Sequence, residues 1–512
     1  MLVRAALVIL LLNLLSRLLG FVRDAVITWR FGAGGMTDAY LVAYTIPYAL
    51  EAVLGMSLVT VIVPTLTRYL VQGEMAEGRR VASAVVSGAA LLLAGLTALG
   101  LVLAPALVQV LAPGFGPEEA ALAVRLTRIM FPSIIFMGLG LMLSGILNTH
   151  KRFALPALAP ALVNLVIILA VVLLGGRYGV EGLAVGTLAG FFCFWLVQLP
   201  GMGRISLRPG WGWDFRHPQV RQVIRAIIPV TFATGVNQVN LAANRFFASG
   251  LAAGSITALD LANRVMNLPL GVFAAAVATA VFPALAEKAA RDDGPGLARE
   301  FTAALRLVSL TMLPCTVGLA VLREPVVRLL FERGAFQEKA TAMTAGALLY
   351  FSLGLLFLGG IYLLTRAYYS LGDLKTPARV GLAAVAANVV FSLLLLPLLG
   401  HRGLALANTL AAVVNAGLLY YLLGKRIPLK EQGGLGEALA KMAAAALLMG
   451  LAVAWGRSWL CSLAGSPSFV TELLLLLLLV AWGAAVYGVL VCLLGLEEGK
   501  KLLSLVKRSG AR

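Results

Sequence analysis

Residues 5–29, AALVILLLNLLSRLLGFVRDAVITW, decide the fold of this chain. A membrane-spanning helix needs about 20 predominantly apolar residues. This run contains only three charged residues, Arg17, Arg23 and Asp24. The two arginines interrupt the apolar stretch that a cleavable signal peptide would need, and no small-residue cleavage site follows them. We therefore expect residues 5–29 to be a retained first membrane span.

The composition of the whole chain agrees with a membrane protein. Of 512 residues, 60% are hydrophobic and 12% are charged, and the mean hydropathy is +0.94. A soluble chain carries about 25% charged residues. Soluble enzymes and nucleic-acid-binding proteins are therefore excluded, although the net charge is +18. The excess of Lys and Arg instead indicates the basic loops of an all-α polytopic membrane protein.

Fourteen segments have the length and apolarity of a membrane-spanning helix. They cover residues 5–29, 39–67, 81–111, 121–148, 155–174, 180–200, 220–248, 256–286, 301–322, 341–370, 377–399, 403–424, 437–456 and 471–495. If both termini are cytoplasmic, the cytoplasmic loops carry 24 Lys and Arg residues and the opposite loops carry 8. This bias predicts a multi-pass protein with both termini in the cytoplasm.

A faint repeat divides the chain. TDAYLVAYTIP…VIVPTL within 37–66 aligns with TALDLANRVMN…AVFPAL within 257–285, and Pro156 and Pro377 lie 221 positions apart. Chance similarity between apolar helices is the alternative. Related halves around a central site are a recurring transporter plan. We predict two pseudo-symmetric six-helix lobes, residues 1–205 and 206–430, followed by two further helices and a cytoplasmic tail in 431–512.

The first predicted helix has one polar face. Asn13, Arg17, Gly20 and Asp24 follow one another at helical spacing, and Arg23 flanks them. An unpaired arginine at mid-bilayer costs about 2.5–3.5 kcal/mol on insertion scales. The face therefore needs water, a counter-ion or an anionic ligand.

The eighth predicted helix carries a second polar set, Asp260, Asn263, Arg264 and Asn267. The i, i+4 spacing of Asp260 and Arg264 also fits a self-neutralising ion pair. On the seventh helix, Asn237, Asn240 and Asn244 form a row that fits either hydrogen bonding between helices or a hydrated cavity.

The other arginines inside predicted spans divide into two groups. Arg366 lies far enough from a helix end to count with Arg17, Arg23 and Arg264. The remaining five lie close enough to an end to reach the headgroups: Arg125, Arg128, Arg225, Arg245 and Arg306. The deep arginines and their polar neighbours predict a cationic chamber that favours a substrate with phosphate or carboxylate groups.

Catalytic motifs are missing from the sequence. The three histidines occupy separate loops, and no nucleophile elbow, P-loop or CxxC spacing occurs. The four cysteines, Cys193, Cys315, Cys461 and Cys492, lie far apart in or beside apolar stretches and are interpreted as packing residues. The sequence therefore predicts a transporter without a cofactor, not an enzyme.

Four motifs stand out along the chain: SRLLGFVRDAVITWRFGAGGMTDAYLVAYTIP (16–47), GILNTHKRFALPALAPALVNL (145–165), ANRVMNLPLGVF (262–273) and YYSLGDLKTPARVGL (368–382). In sequence and order they resemble motifs of the bacterial lipid II flippases, the MurJ/MviN family. The resemblance implies the multidrug/oligosaccharidyl-lipid/polysaccharide exporter fold and a bacterial plasma-membrane location. The implied activity is alternating-access flipping of lipid II, the undecaprenyl-pyrophosphate-linked disaccharide pentapeptide, with membrane lipids around the protein and no nucleic acid bound. Helices 13 and 14 are implied to hold the isoprenoid tail.

The resemblance also carries residue roles. Arg17, Arg23 and Arg264 match arginines that engage the pyrophosphate, and Asp24, Asp38 and Asn164 match polar positions of the same motifs. Glu51 departs from the pattern, because several relatives have an arginine four residues after the proline that corresponds to Pro47. We predict that Glu51 acts as a counter-ion for Arg17 or Arg23. Arg366 would supply the charge missing from helix 2.

The resemblance implies sodium or the membrane potential as the driving force. Asn237, Asn388 and Thr409, with Gln238 and Ser392 nearby, are weak candidates for sodium ligands. An exporter of another polyprenyl-linked oligosaccharide is the alternative function. A membrane-embedded polymerase or ligase is a further alternative, but it would need a longer external loop.

Overall fold

In a computed structural model of the chain, the backbone is described for residues 2–203, 205, 208–214, 216–429, 433–463 and 469–496. Side chains are described for these residues except 2–8, 51, 52, 54–60, 228–234, 236, 237 and 461–463. Regular structure in the described ranges is entirely helical. The predicted all-α class is confirmed.

The helices are long, and several are broken by turns of two or three residues. In chain order they are α1 Leu2–Phe31, α2 Gly35–Gln72, α3 Met75–Leu111, α4 Pro117–Met130, α5 Ser133–Thr149, α6 Ala154–Leu196, α7 Leu199–Met202, α8 Pro218–Ser249, α9 Ser255–Pro269, a π-helix Leu270–Ala274, α10 Ala275–Ala290, α11 Gly294–Phe331, α12 Glu338–Ser352, α13 Leu355–Ser370, α14 Lys375–Leu399, α15 His401–Leu423, α16 Leu435–Leu463 and α17 Phe469–Leu493.

The fourteen predicted spans lie on these helices, and most of their ends agree to within about five residues. The largest difference is at α11, Gly294–Phe331, where the prediction covered only 301–322. Two spans correspond to bent pairs, α4 with α5 and α12 with α13. Residues 155–174 and 180–200 fall mainly on α6, which turns at Gly179. Among the described residues, eight helices are long and apolar enough to cross a membrane, or ten if each bent pair is one span. This agrees with an integral membrane protein, and the count of fourteen stays a prediction.

The backbone repeats itself between the two halves. Left-handed backbone conformations, which L-residues seldom adopt, recur at a nearly constant spacing. The pairs are Gly32 and Gly254, Gly73 and Asp292, Lys151 and Gly372, and Gly179 and Gly400, with members 222, 219, 221 and 221 positions apart. Gly179 and Gly400 share nearly the same conformation, with φ 57° and ψ −142° against φ 55° and ψ −134°. The turns therefore follow the offset that the sequence repeat predicts.

The chain packs as two compact units. The first comprises residues 1–257 and 333–337, and the second comprises 258–332 and 338–512. The predicted lobes were drawn from the repeat and not from packing, so their boundaries at 205 and 430 stay predictions.

Each unit has its own apolar core. In the first, Ile62 and Leu66 of α2 pack with Val81 and Val85 of α3 and Ile146 of α5.

In the second unit, one cluster joins Leu285, Phe301, Leu363 and Leu419. Another cluster attaches α16 and α17 to α11 through Met442, Met449 and Leu310. The last two helices are therefore built into the second unit.

Candidate functional site

Arg23 and Asp24 form an ion pair on α1. Nε and Nη2 of Arg23 donate to the same Oδ1 of Asp24 over 3.0 and 2.9 Å. The two side chains are only 14% and 8% exposed. A charge that is mostly withdrawn from water needs a partner, and Asp24 supplies one from the neighbouring position.

The deeper half of the predicted polar face is accessible. Asn13 and Arg17 are exposed, although they lie within an apolar helix. Arg17 makes no hydrogen bond or ion pair with any side chain that the structure describes. Its guanidinium thus remains available for a ligand, or for a residue outside the described set.

Asn164 joins α6 to α1 beside this face. Its Nδ2 donates to the carbonyl oxygens of Ser16 and Pro160 over 3.1 and 3.2 Å. A Cβ added at Gly20 would lie 3.8 Å from this nitrogen, so the glycine leaves room beside the amide. Asn164 holds the backbone of α1 one residue before Arg17. The predicted contact of Asn164 with substrate stays a prediction.

Asp38 caps the start of α9. Its Oδ2 accepts from Gly254 N over 2.7 Å, and its Oδ1 accepts from Thr257 N and Thr257 Oγ1 over 2.8 and 2.6 Å. The residue is 3% exposed. A carboxylate at a helix N-terminus satisfies amide groups that have no partner within the helix. Both oxygens are engaged, so a direct contact of Asp38 with substrate stays a prediction.

Arg245 corrects one expectation. It was predicted to reach the headgroups from the end of its helix, but it is 7% exposed. Nε donates to Thr45 Oγ1 and Nη1 to the carbonyl of Ile256, both over 3.4 Å. The end of α8 packs on α2 and on the first turn of α9, which buries the guanidinium. Proximity to a helix end, the only signal in the sequence, could not reveal this packing.

The second unit contains the other predicted polar set. On α9, Nε of Arg264 donates to Oδ2 of Asp260 over 2.8 Å, which confirms the ion-pair alternative. Asn267 donates to the side-chain oxygen of Asn263 over 2.9 Å. Arg264 remains 34% exposed. The arginine is therefore both paired and accessible.

Arg366 lies on α13, with its guanidinium 5.5 Å from the centre of the Phe282 ring on α10. This cation–π contact stabilises the charge inside the second unit. Whether Arg366 replaces the helix-2 charge of relatives stays a prediction.

The weak sodium candidates are engaged with protein groups. Oγ of Ser392 donates to Oδ1 of Asn388 over 3.4 Å. Thr409 Oγ1 donates to the carbonyl of Tyr350 over 2.7 Å. The side chain of Asn237 lies outside the described residues. Among those described, no group of three His, Cys, Asp or Glu residues is placed to hold a metal ion. The donors present are neutral oxygens, and sodium binding stays a prediction.

Glu51 and the cysteines complete the set of predicted residues. The side chains of Glu51 and Cys461 lie outside the described residues. Cys193, Cys315 and Cys492 are free thiols and partly buried. Asn244 donates to Asn240 within α8 over 3.1 Å, so part of the asparagine row bonds within its own helix. The polar residues of each unit thus occur mostly as bonded pairs.

Comparison with known proteins decides the family. The profile of a family described as lipid II flippase MurJ matches residues 27–476. The chain is 32% identical to the lipid II flippase MurJ of Burkholderia cenocepacia, over 88% of this chain and 89% of that protein. It is 31% identical to a probable lipid II flippase MurJ of Haemophilus influenzae, over 95% and 99%. This chain belongs to the MurJ family.

Solved structures agree with the MurJ assignment. A lipid II flippase MurJ in an inward closed conformation matches with a TM-score of 0.80 at 25% identity, over 99% of this chain and all of that one. An inward-facing transporter of the MATE family, in the MOP superfamily, matches with a TM-score of 0.68 at 16% identity, over 84% of this chain and all of that one. The second likeness concerns the fold alone. The predicted exporter fold is confirmed, and this MurJ family member is a transporter and not an enzyme.

Proposed function

We propose that this chain flips lipid II across the bacterial plasma membrane. The observation that carries the proposal is family membership over most of the chain, with relatives named lipid II flippases that align over nearly their full length. Lipid II is a polyprenyl pyrophosphate, so its transporter must accommodate two phosphates at membrane depth. The polar faces of α1 and α9 provide the residues for that task.

The chemistry of these faces suits a pyrophosphate. Asp24 pairs with Arg23, and Asp260 pairs with Arg264. A carboxylate partner offsets part of the cost of a guanidinium in an apolar helix. A pyrophosphate carries more charge than a carboxylate and accepts bidentate bonds from arginine. We infer that phosphate competes with Asp24 for Arg23 in the first unit, where Arg17 offers a further guanidinium, and with Asp260 for Arg264 in the second unit.

The paired state also explains how an empty transporter tolerates its own arginines. Without substrate, the carboxylates neutralise Arg23 and Arg264. When substrate binds, the phosphates take the place of the carboxylates at the arginines, and the carboxylates are released to water. When substrate leaves, the carboxylates pair with the arginines again. This competition limits the affinity for substrate and so allows its release after transport.

The membrane orientation belongs to the same proposal. The distribution of Lys and Arg in the loops favours both termini in the cytoplasm. The substrate would then enter from the cytoplasmic leaflet and leave to the outer leaflet. Transporters that share the fold have been solved in inward-facing and outward-facing conformations. We infer an alternating-access cycle for this chain, with sodium or the membrane potential as its predicted driving force.

Genetic replacement tests the proposal. Cells depleted of their own lipid II flippase should recover growth and cell shape when they express this chain, because the headgroup would again reach the outer leaflet. The matched control is Arg23→Ala at equal expression, which should not restore growth. Failure of the unmodified chain to rescue, while it is present in the membrane, would favour another polyprenyl-linked oligosaccharide as the substrate.

A further inference from the structure

The segment that joins α7 to α8 contains two tryptophans that no part of the transport proposal uses. Residues 208–214, RPGWGWD, are called the strap below. Trp211 is 78% exposed and Trp213 is 59% exposed. Their rings stack with centres 6.3 Å apart and planes at 22°. An exposed aromatic pair of this size indicates a surface that meets an apolar or interfacial partner.

The alternation of glycine and tryptophan explains this geometry. In an extended segment, successive residues point to opposite sides. Gly210 N donates to Ser83 Oγ over 2.8 Å, and Gly212 N donates to Ser87 Oγ over 3.1 Å. The glycine side of the strap therefore lies on α3, and the tryptophan side faces away from it.

Glycine is required at the second of these positions. A Cβ at Gly212 would lie 2.9 Å from the Cβ of Ser83 and 3.3 Å from the backbone nitrogen of Ala84. Such contacts would push the strap away from α3. The close approach fixes the backbone on which both tryptophans are presented.

A hydrogen bond and an ion pair from α3 hold the two ends of the strap. Nε of Arg79 donates to the carbonyl of Arg208 over 3.0 Å, and Arg80 pairs with Asp214 over 2.7 Å. Behind the strap, Nε2 of His217 contacts Glu77, while Nδ1 accepts from Gln219 N. The presentation of the tryptophans is therefore built into the fold and does not depend on a bound partner.

The position of the strap along α3 gives its depth in the membrane. α3 has 37 residues, which is about 55 Å of helix, whereas the hydrocarbon core is about 30 Å thick. Its charged residues, Glu77, Arg79 and Arg80, all lie in the first two turns. Ser83 and Ser87 follow within two turns of Arg80. The strap therefore crosses α3 near the headgroup level, where tryptophan is enriched in membrane proteins.

Basic residues outnumber acidic ones around the strap. Asp214 is paired with Arg80, and Glu77 contacts His217. Four arginines at the start of α3, in the strap or shortly after it are exposed: Arg79, Arg208, Arg216 and Arg221. Exposed basic groups beside a membrane attract anionic lipids.

We propose that the strap is an interfacial anchor that binds anionic phospholipid headgroups. Trp211 and Trp213 insert among the headgroups, and Arg79, Arg208 and Arg216 contact the phosphates. The inference rests on the integration of the chain into a membrane and not on its substrate. The anchor can therefore be wrong while lipid II transport is right, and transport can be wrong while the anchor is right.

Fluorescence quenching by brominated lipids tests the anchor. The full-length chain is placed in vesicles of phosphatidylglycerol or phosphatidylcholine with bromine at a shallow or a deep acyl position. The emission of Trp211 and Trp213 is the parent signal minus that of Trp211→Phe/Trp213→Phe. The emission of Trp455 and Trp459, two exposed tryptophans of α16, is obtained by the same subtraction with the variant Trp455→Phe/Trp459→Phe.

The strap signal should be quenched more by shallow than by deep bromine, and more in phosphatidylglycerol than in phosphatidylcholine. An arginine near an anionic surface favours anionic lipid by up to about fivefold. Arg208→Gln/Arg216→Gln removes two of the three proposed phosphate contacts and should therefore lower the ratio of quenching in phosphatidylglycerol to quenching in phosphatidylcholine. The matched charge control Arg299→Gln/Arg379→Gln, also exposed, should leave it unchanged. The α16 pair should show no preference for phosphatidylglycerol.

Two results would overturn the proposal. If bromine at neither depth quenches the strap signal, the tryptophans lie in water. If quenching in the parent is equal in the two lipids, the surface does not select anionic headgroups.

Discussion

Arg23 is bonded twice to Asp24, its immediate neighbour on α1, through a single carboxylate oxygen. Adjacent residues on a helix do not ordinarily face each other, so the arginine side chain must bend back along the helix to reach the acid. Because Asp24 neutralises Arg23, an incoming phosphate must compete with Asp24 for the guanidinium.

Removing the acid should tighten substrate binding. In Asp24→Asn, the guanidinium of Arg23 loses its competitor, and a hydrogen bond to a charged group is worth about 1.5–3 kcal/mol. We expect tighter binding of lipid II by about tenfold, measured by titration of the purified protein, and slower transport. Asp260→Asn should shift binding in the same direction, because Asp260 holds Arg264 in the same way. Weaker binding in both variants, with normal folding, would mean that the acids assist the substrate directly.

Asp38 should affect stability before it affects binding. Asp38→Asn keeps the size of the side chain but removes the charge that three donors share. We expect a loss of about 2 kcal/mol or more, seen as a lower thermal midpoint of the purified protein in detergent. Asp292→Asn is the control, since Asp292 is exposed and asparagine tolerates its positive φ. An unchanged midpoint in Asp38→Asn would mean that the charge of Asp38 does not stabilise the start of α9.

Glu51 remains the predicted counter-ion of an arginine on α1. Arg23 is already paired, whereas Arg17 has no described partner. We therefore expect a double-mutant cycle of Glu51→Gln with Arg17→Gln, read out as lipid II binding, to show coupling of about 0.5–3 kcal/mol. The cycle with Arg23→Gln should show less coupling. Additivity in both cycles would mean that Glu51 contacts neither arginine.

Asp373, in the turn between α13 and α14, gives a pH-dependent prediction. Hydrogen bonds from the side chain and backbone of Thr376, together with Arg426 at 2.6 Å, lower the pKa of Asp373 to about 2. A depressed pKa means that the carboxylate stabilises the fold above its ordinary pKa of 3.8 and loses this effect as the pH falls toward 2.

The Asp373→Ala variant should accordingly have a lower thermal midpoint than the parent at pH 7, and the difference should shrink between pH 4 and pH 2. Loss of such a helix-start cap costs about 1 kcal/mol. Glu338→Ala, which removes an exposed acid from the first turn of α12, is the control. A difference that stays constant down to pH 2 would contradict the assignment of the effect to the charged carboxylate.

The sequence was most informative where periodicity and spacing carry the signal. The apolar runs predict the helices, and the i, i+4 spacing of Asp260 and Arg264 allows for the pair that the structure contains. The offset of about 220 residues predicts the recurrence of the left-handed turns at Gly179 and Gly400. These features depend on local geometry, which the order of residues determines.

Other contacts depend on packing between distant segments, and the sequence could not reveal them. Asp38 and Thr257 are separated by 219 positions and meet only because α2 packs beside the start of α9. The burial of Arg245 comes from packing against α2 and not from its own helix. The sequence does not show this packing, so the prediction that Arg245 reaches the headgroups was wrong. The pair of Arg23 and Asp24 was missed because neighbours on a helix are expected to diverge.

Transport by the purified chain tests the central claim most directly. Vesicles containing the full-length protein and lipid II with a fluorophore on its headgroup are exposed to a membrane-impermeant quencher, and movement of the headgroup across the bilayer is followed over time. We expect transport by the parent, none by Arg23→Ala or Arg264→Ala, and a rate reduced about tenfold or more by Arg23→Lys, which keeps the charge but loses the bidentate geometry. The exposed variant Arg299→Gln should transport at the parental rate. Transport by both alanine variants at the parental rate, in equally folded protein, would contradict the account.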